Sequence, residues 1–70
     1  MMSEQFLNDI FDSICEVQSK NPPNTFGSYI NFLNTTIDWG IREHFKQSGM
    51  DEVKDSLVDK ITDEIKYQYF

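Results

Sequence analysis

Seventy residues, twelve of them acidic and six basic, give this chain a net charge of −6 and room for one domain, over residues 1–70. This charge repels nucleic acid and anionic membranes, so the chain is expected to bind neither directly and a basic partner is favoured. One cysteine and one histidine exclude an internal disulfide and a four-ligand zinc site, which leaves helix packing or self-association to stabilise so short a chain.

The first segment, about residues 3–20, has the spacing of an amphipathic helix. Ser3 suits the N-cap, and Lys20 suits the last turn, where the helix dipole favours a cation. Asn21 and the two prolines that follow it cannot continue the helix. The apolar stripe consists of Phe6, Leu7, Ile10, Phe11, Ile14 and Val17.

The second predicted helix, about residues 25–48, is the least regular. Gly27 and Gly40 each weaken a helix by about 1 kcal/mol relative to alanine, and the run Asn34–Thr36 is poor in helix formers. A break at this run, with a threonine capping a second piece, and a strand over residues 29–33 are the alternatives that remain open. The apolar stripe consists of Phe26, Tyr29, Ile30, Leu33, Ile37, Ile41 and Phe45.

The third predicted helix spans about residues 51–68, with Asp51 placed to cap it. It is dense in charge and contains no glycine. Its stripe consists of Met50, Val53, Leu57, Ile61 and Ile65, with Val58 beside it. A Pro-Pro turn and a glycine turn join the segments, so the sequence predicts an all-α fold of three helices.

Few residues suit catalysis or metal binding. Cys15 lies beside the first stripe, which predicts a small buried side chain, and His44 lies one position off the second stripe, which predicts a half-exposed ring. The neighbouring acids Asp51, Glu52 and Asp55 lack the alternating ligands and central glycine of a calcium loop. No glycine-rich phosphate loop is present. The sequence therefore predicts a protein without enzymatic activity, cofactor or metal.

The chain also lacks the sequence features of membrane insertion and secretion. No apolar run approaches the roughly 20 residues of a membrane span. The first residues carry neither a basic region nor a cleavable apolar stretch, and the lone cysteine fits a reducing compartment. A cytoplasmic location is therefore expected.

Like charges repeat at four-residue spacing on both outer helices. Asp55, Asp59 and Asp63 share one face of the third helix, with neighbours about 5–6 Å apart, and Asp12 and Glu16 repeat this arrangement on the first. Each like pair costs a helix a few tenths of a kcal/mol, and aspartate is a poor helix former. A basic partner that offsets this cost is the simplest explanation, which makes these five the predicted partner-binding residues. The alternative is a solvated acidic face.

Carboxylates at this spacing can imitate the phosphates of a nucleic-acid strand. In size and charge, though not in any motif, the chain resembles small acidic phage- or plasmid-encoded proteins that occupy host nucleic-acid-binding proteins. The resemblance implies an inhibitor or modulator of a basic, nucleic-acid-binding partner. The alternative from a different class is a small helical subunit or assembly factor whose apolar faces are completed inside a larger complex.

Two aromatic residues of the second helix, Phe32 and Trp39, fall off its stripe. They are seven residues apart and therefore share a helix face. One interpretation is that this helix is buried on two sides, and the other is an exposed aromatic patch. Because the middle segment is neutral and lies between two acidic ones, the sequence favours a homodimer packed through this helix, with Phe32 and Trp39 as the self-association residues.

Overall fold

The computed structural model describes residues 2–70 and folds them into three α-helices. Helix α1 spans Glu4–Lys20, α2 spans Tyr29–Gln47 and α3 spans Asp55–Tyr69, and a short 3-10 turn at Pro23–Phe26 joins α1 to α2. The Cα radius of gyration is 11.6 Å, close to the value of about 11 Å expected for a compact chain of this length. The predicted all-α fold of three helices is confirmed.

Serine caps define the first two helix starts. The Ser3 hydroxyl accepts a hydrogen bond from the Phe6 N–H at 3.2 Å, and the Ser28 hydroxyl accepts one from the Asn31 N–H at 3.1 Å. Gly27, immediately before the second cap, has a φ of 83°, which a residue with a Cβ rarely adopts. The chain therefore turns there, and α2 begins four residues later than the sequence predicts.

Helix α2 is continuous through its poorest stretch of helix formers, so neither the break nor the strand occurs. Thr36 is fully buried, and its hydroxyl donates to the Phe32 carbonyl oxygen at 2.7 Å. The same hydroxyl accepts a hydrogen bond from the Gln18 side-chain amide of α1 at 3.1 Å. Its polar group is therefore satisfied inside the helix pair, so Thr36 is buried without an unpaired hydroxyl and does not cap a second piece.

Helix α3 begins at Asp55, four residues later than predicted. Residues 51–54 are not helical, and Lys54 occupies the N-cap position without a side-chain hydrogen bond, so Asp51 does not cap the helix. Leu57, predicted to lie in the core, is 37% exposed, whereas Val58 is 3% exposed. Val58 shares the face of the other buried residues of α3 because its spacing from them is three and seven residues.

The core lies where the three helices meet, and six of its side chains are fully buried isoleucines. Each isoleucine removed from water stabilises the fold by about 1.5–3 kcal/mol. Helices α1 and α2 run antiparallel, because Phe6 packs on Phe45 at one end and Gln18 bonds Thr36 at the other. The buried cluster consists of Leu7, Ile10, Ile14, Ile37, Ile41, Val58, Ile61 and Ile65.

Helices α1 and α2 approach each other closely at Gly40. A Cβ added at this position would lie 2.6 Å from the Cα and 2.8 Å from the N of Ile14, distances at which real Cβ atoms are essentially never found. Both neighbouring atoms belong to the backbone of α1, so no side-chain rotation relieves the overlap. The glycine that weakens α2 as an isolated helix is thus what allows the two helices to touch.

We expect Gly40→Ala to lower the free energy of unfolding by about 1–3 kcal/mol, because the two backbones must separate. This is the net change, because the steric cost of the added methyl group exceeds the gain of about 1 kcal/mol that alanine brings to an isolated helix. Denaturant unfolding followed by circular dichroism measures the change. The control is Asn34→Ala at an exposed position of the same helix, which should stabilise the protein slightly. A Gly40→Ala protein as stable as the natural one would contradict the close approach.

Candidate interaction surfaces

The three predicted aspartates of α3 are all exposed, but they differ in their partners. The Asp55 carboxylate, in the first turn of the helix, accepts a hydrogen bond from Arg42 Nη2 at 3.0 Å. This ion pair links α2 to α3, and Arg42 Nε also pairs with Asp38 of its own helix at 3.1 Å. Asp59 and Asp63 form no ion pair among residues 2–70. One member of the row is thus already paired with an arginine, and the helix dipole further stabilises its charge.

Of the two predicted partner-binding acids on α1, one forms an ion pair and the other does not. The Glu16 carboxylate pairs with Lys20 Nζ at 3.0 Å, whereas Asp12 has no ion pair within the described part of the chain. Burial, and secondarily the charge of Asp12, raise the pKa of the Cys15 thiol. Cys15 is exposed, so the prediction of a buried cysteine is wrong.

The end of α3 lies against the acidic side of α1. The ring of Tyr69 stacks on Phe11, with centroids 4.2 Å apart and planes 10° from parallel, and its hydroxyl donates to the Asn8 side-chain oxygen. Partial burial raises the pKa of Tyr69, and the nearby charges of Glu4 and Asp12 raise it further. The packing of Tyr69 therefore places the last turns of α3 beside carboxylates of α1.

Two shallow grooves meet at Tyr67, whose side chain is 89% exposed. One lies between α1 and α3, has a volume of about 270 Å³ and is bordered by Glu4 and Glu64. The other, of about 420 Å³, is bordered by Asp63, Glu64 and Lys60. We call Glu4, Asp63, Glu64 and Tyr67 the acidic–aromatic surface. Sequence spacing had singled out only Asp63 of this set, because the proximity of Glu4 to Glu64 depends on how α3 packs.

The acidic–aromatic surface does not include every predicted acid. Glu16 borders a different groove, of about 370 Å³ between α1 and α2, together with Trp39 and Glu43. Asp55 lies at the opposite end of α3 from Tyr67. The structure therefore distributes the predicted acids over separate faces of the molecule.

Phe32 and Trp39, the two residues predicted to mediate self-association, differ in their exposure. Phe32 is only 7% exposed because Phe26 of the 3-10 turn packs edge-on against it, with ring centroids 5.5 Å apart. Its side chain therefore does not provide the exposed surface for self-association that the sequence predicts. Trp39 is 44% exposed and lies beside Phe26, with ring centroids 5.8 Å apart.

His44 packs against two phenylalanine rings and does not lie in a cluster of metal-ligating side chains among the described residues. His44 is half-buried, and its ring meets the edge of Phe6 at 5.6 Å and of Phe45 at 5.5 Å. Across residues 2–70, no three His, Cys, Asp or Glu side chains gather closely enough to hold a metal ion. Over the same residues, none of the helices combines the length and apolar character needed to cross a membrane.

No protein-family model matches the chain, and no curated protein or solved structure is significantly similar to it. The charges, grooves and exposed rings of the molecule are therefore the features that bear on its function.

We expect Cys15 to react with iodoacetamide more slowly at pH 8 in the folded protein than in denaturant, because the thiolate is the reactive form and its pKa is raised on folding. The midpoint of the rate against pH should be higher when the protein is folded. Asp12→Asn removes a negative charge that disfavours the thiolate, so it should lower this midpoint. Asp9→Asn removes the same charge elsewhere on α1 and serves as the control. An unchanged midpoint in Asp12→Asn would contradict the assigned cause.

Proposed function

We propose that the protein is a non-enzymatic binding protein that recognises a basic protein and inhibits or modulates it. The observation that best supports this function is the acidic–aromatic surface, where carboxylates of α1 and α3 surround an exposed tyrosine. Carboxylates pair with lysine and arginine, and an aromatic ring binds the same cations through its face. Glu4, Asp63, Glu64 and Tyr67 thus supply both kinds of contact within one surface.

The net charge of the chain acts on a basic partner at a distance, before the two surfaces touch. A chain of net charge −6 attracts a basic protein over distances of about a Debye length, 8–10 Å at physiological salt. This attraction raises the association rate and orients the encounter more than it increases the final affinity. The lasting affinity then comes from desolvated contacts, for which Tyr67 is the most exposed aromatic side chain on the acidic side.

The proposed partner class is a nucleic-acid-binding protein. Asp59 and Asp63 are one helical turn apart on the exposed side of α3 and carry no intramolecular ion pair among residues 2–70. Carboxylates about 5–6 Å apart present regularly spaced negative charge to a surface that normally holds phosphates. Occupation of that surface would exclude DNA or RNA, which gives inhibition by competition.

Self-association through α2 is part of the same proposal. The outer helices carry the excess negative charge, whereas the middle segment is balanced in charge. Two copies of an acidic chain therefore meet with least repulsion through α2, and Trp39 offers exposed aromatic area there.

We expect the tagged protein to retain basic nucleic-acid-binding proteins from a nuclease-treated lysate at low salt and to lose them at high salt, because exposed charges are screened. Asp59→Asn/Asp63→Asn should weaken retention strongly. Asp55→Asn alone should weaken it less, since Arg42 already pairs with that carboxylate. Quantitative mass spectrometry of the retained proteins measures each effect, and addition of DNA or RNA tests competition.

The charge-matched control is Asp51→Asn/Glu52→Gln, which removes two negative charges outside α3. If it weakens retention as much as Asp59→Asn/Asp63→Asn, only net charge matters and the proposed surface is wrong. If one partner survives both high salt and the loss of Asp59 and Asp63, the acidic face is solvated surface. The protein is then a helical subunit held by its apolar faces.

A further inference from the structure

The apolar stripe of α2 extends past the helix that covers it. In the antiparallel pair, Ile14 lies against Gly40 and Gln18 bonds Thr36, and α1 ends only two residues later at Lys20. The first turn of α2 is therefore beyond the end of α1. Tyr29 and Ile30, which periodicity assigns to the core, are instead 65% and 68% exposed.

Tyr29 belongs to a series of aromatic contacts at the start of α2, and Ile30 is exposed next to it in the chain. Tyr29 contacts Phe32, whose ring meets Phe26, and Phe26 reaches Trp39, with centroid separations of 5.5–6.1 Å along the series. Phe26 is half-buried and Ile30 is adjacent to Tyr29 in the first turn. We call Phe26, Tyr29 and Ile30 the uncharged patch.

The charge pattern indicates which molecule covers this patch. Residues 21–37 contain no charged side chain, although six basic and twelve acidic residues are spread over the rest of the chain. In a two-fold contact, residues near the axis face their own counterparts, so any charge there would face the same charge. A basic partner, by contrast, would be bound best where carboxylates are present. An uncharged apolar surface on a chain of net charge −6 therefore suits a second copy.

The available area is consistent with this occupant. A stable interface buries about 800 Å² of each partner, about one sixth of the 4809 Å² of accessible surface of this chain. The uncharged run of 17 residues, 21–37, includes the 3-10 turn and the first half of α2. Along the sequence, the charged residues nearest to this run are Lys20 and Asp38, at its two ends.

We propose that two copies of the chain associate through the uncharged patch, with Tyr29 and Ile30 of each copy packed on those of the other. The contact completes the stripe of α2 that α1 leaves uncovered. This inference locates the homodimer of the proposed function at the first turn of α2, and it does not depend on the basic partner.

Sedimentation equilibrium of the full chain from about 1 µM to 1 mM, at low and high salt, tests the contact. We expect a reversible dimer that does not weaken as salt rises, because the contact is apolar and screening reduces the repulsion between acidic copies. Ile30→Glu should raise the dissociation constant at least about tenfold, since it buries a carboxylate beside its own counterpart. Ile30→Ser should weaken the dimer less, through loss of apolar area alone.

Ser56→Glu is the charge-matched control, since it adds the same charge at an exposed position of α3 and should leave the dimer unchanged. Circular dichroism verifies that the variants fold, as expected for a side chain that is 68% exposed. A dimer that tolerates Ile30→Glu but is lost in Trp39→Ser would overturn this location and keep the homodimer. A natural chain that is monomeric at 1 mM overturns both. The retention of basic proteins is measured separately, so its failure would leave the dimer contact standing.

Discussion

The contact between Gly40 and the backbone of Ile14 is the constraint on which the rest of the fold depends. Because α1 and α2 touch there, Gln18 reaches Thr36 and the isoleucines of both helices share one apolar layer. Helix α3 then packs Val58, Ile61 and Ile65 on that layer. A 70-residue chain without an internal disulfide has little else to hold it together. The helix propensity lost at one glycine is offset by close packing over the whole pair.

The position of the acidic–aromatic surface follows from the same packing. Tyr69 fixes the end of α3 against Phe11, and this brings Glu64 to the groove that Glu4 also borders. Both carboxylates lie on the rim of an open groove, where water screens their charges. A cationic partner seated in this groove would be within reach of both, so the proposed binding depends on the packing that brings α3 against α1.

The 3.6-residue repeat of apolar residues predicts which residues of each helix form the centre of the core. The stripes of α1, α2 and α3 contain Ile10, Ile37 and Ile61 at the centre of the core, as the 3.6-residue repeat requires. The start of α2 was less predictable, because the apolar repeat extends back to Phe26, whereas the chain turns at Gly27 and Ser28 caps the helix. The sequence left the burial of Phe32 open, because it depends on Phe26 of the 3-10 turn, and did not predict the pairing of Asp55 with Arg42 of another helix.

The two proposed surfaces are complementary in their response to charge. The acidic–aromatic surface is proposed to attract a basic partner through its negative charge. The uncharged patch lacks charged residues, so two acidic chains can meet there with little mutual repulsion. In the proposed dimer the net charge is twice the −6 of one chain, and both acidic–aromatic surfaces remain outside the contact because they lie on α1 and α3. Association through α2 would therefore strengthen the attraction of a basic partner without using any of the carboxylates proposed to bind it. The absence of charge from residues 21–37 and its excess on the outer helices thus have a common physical explanation.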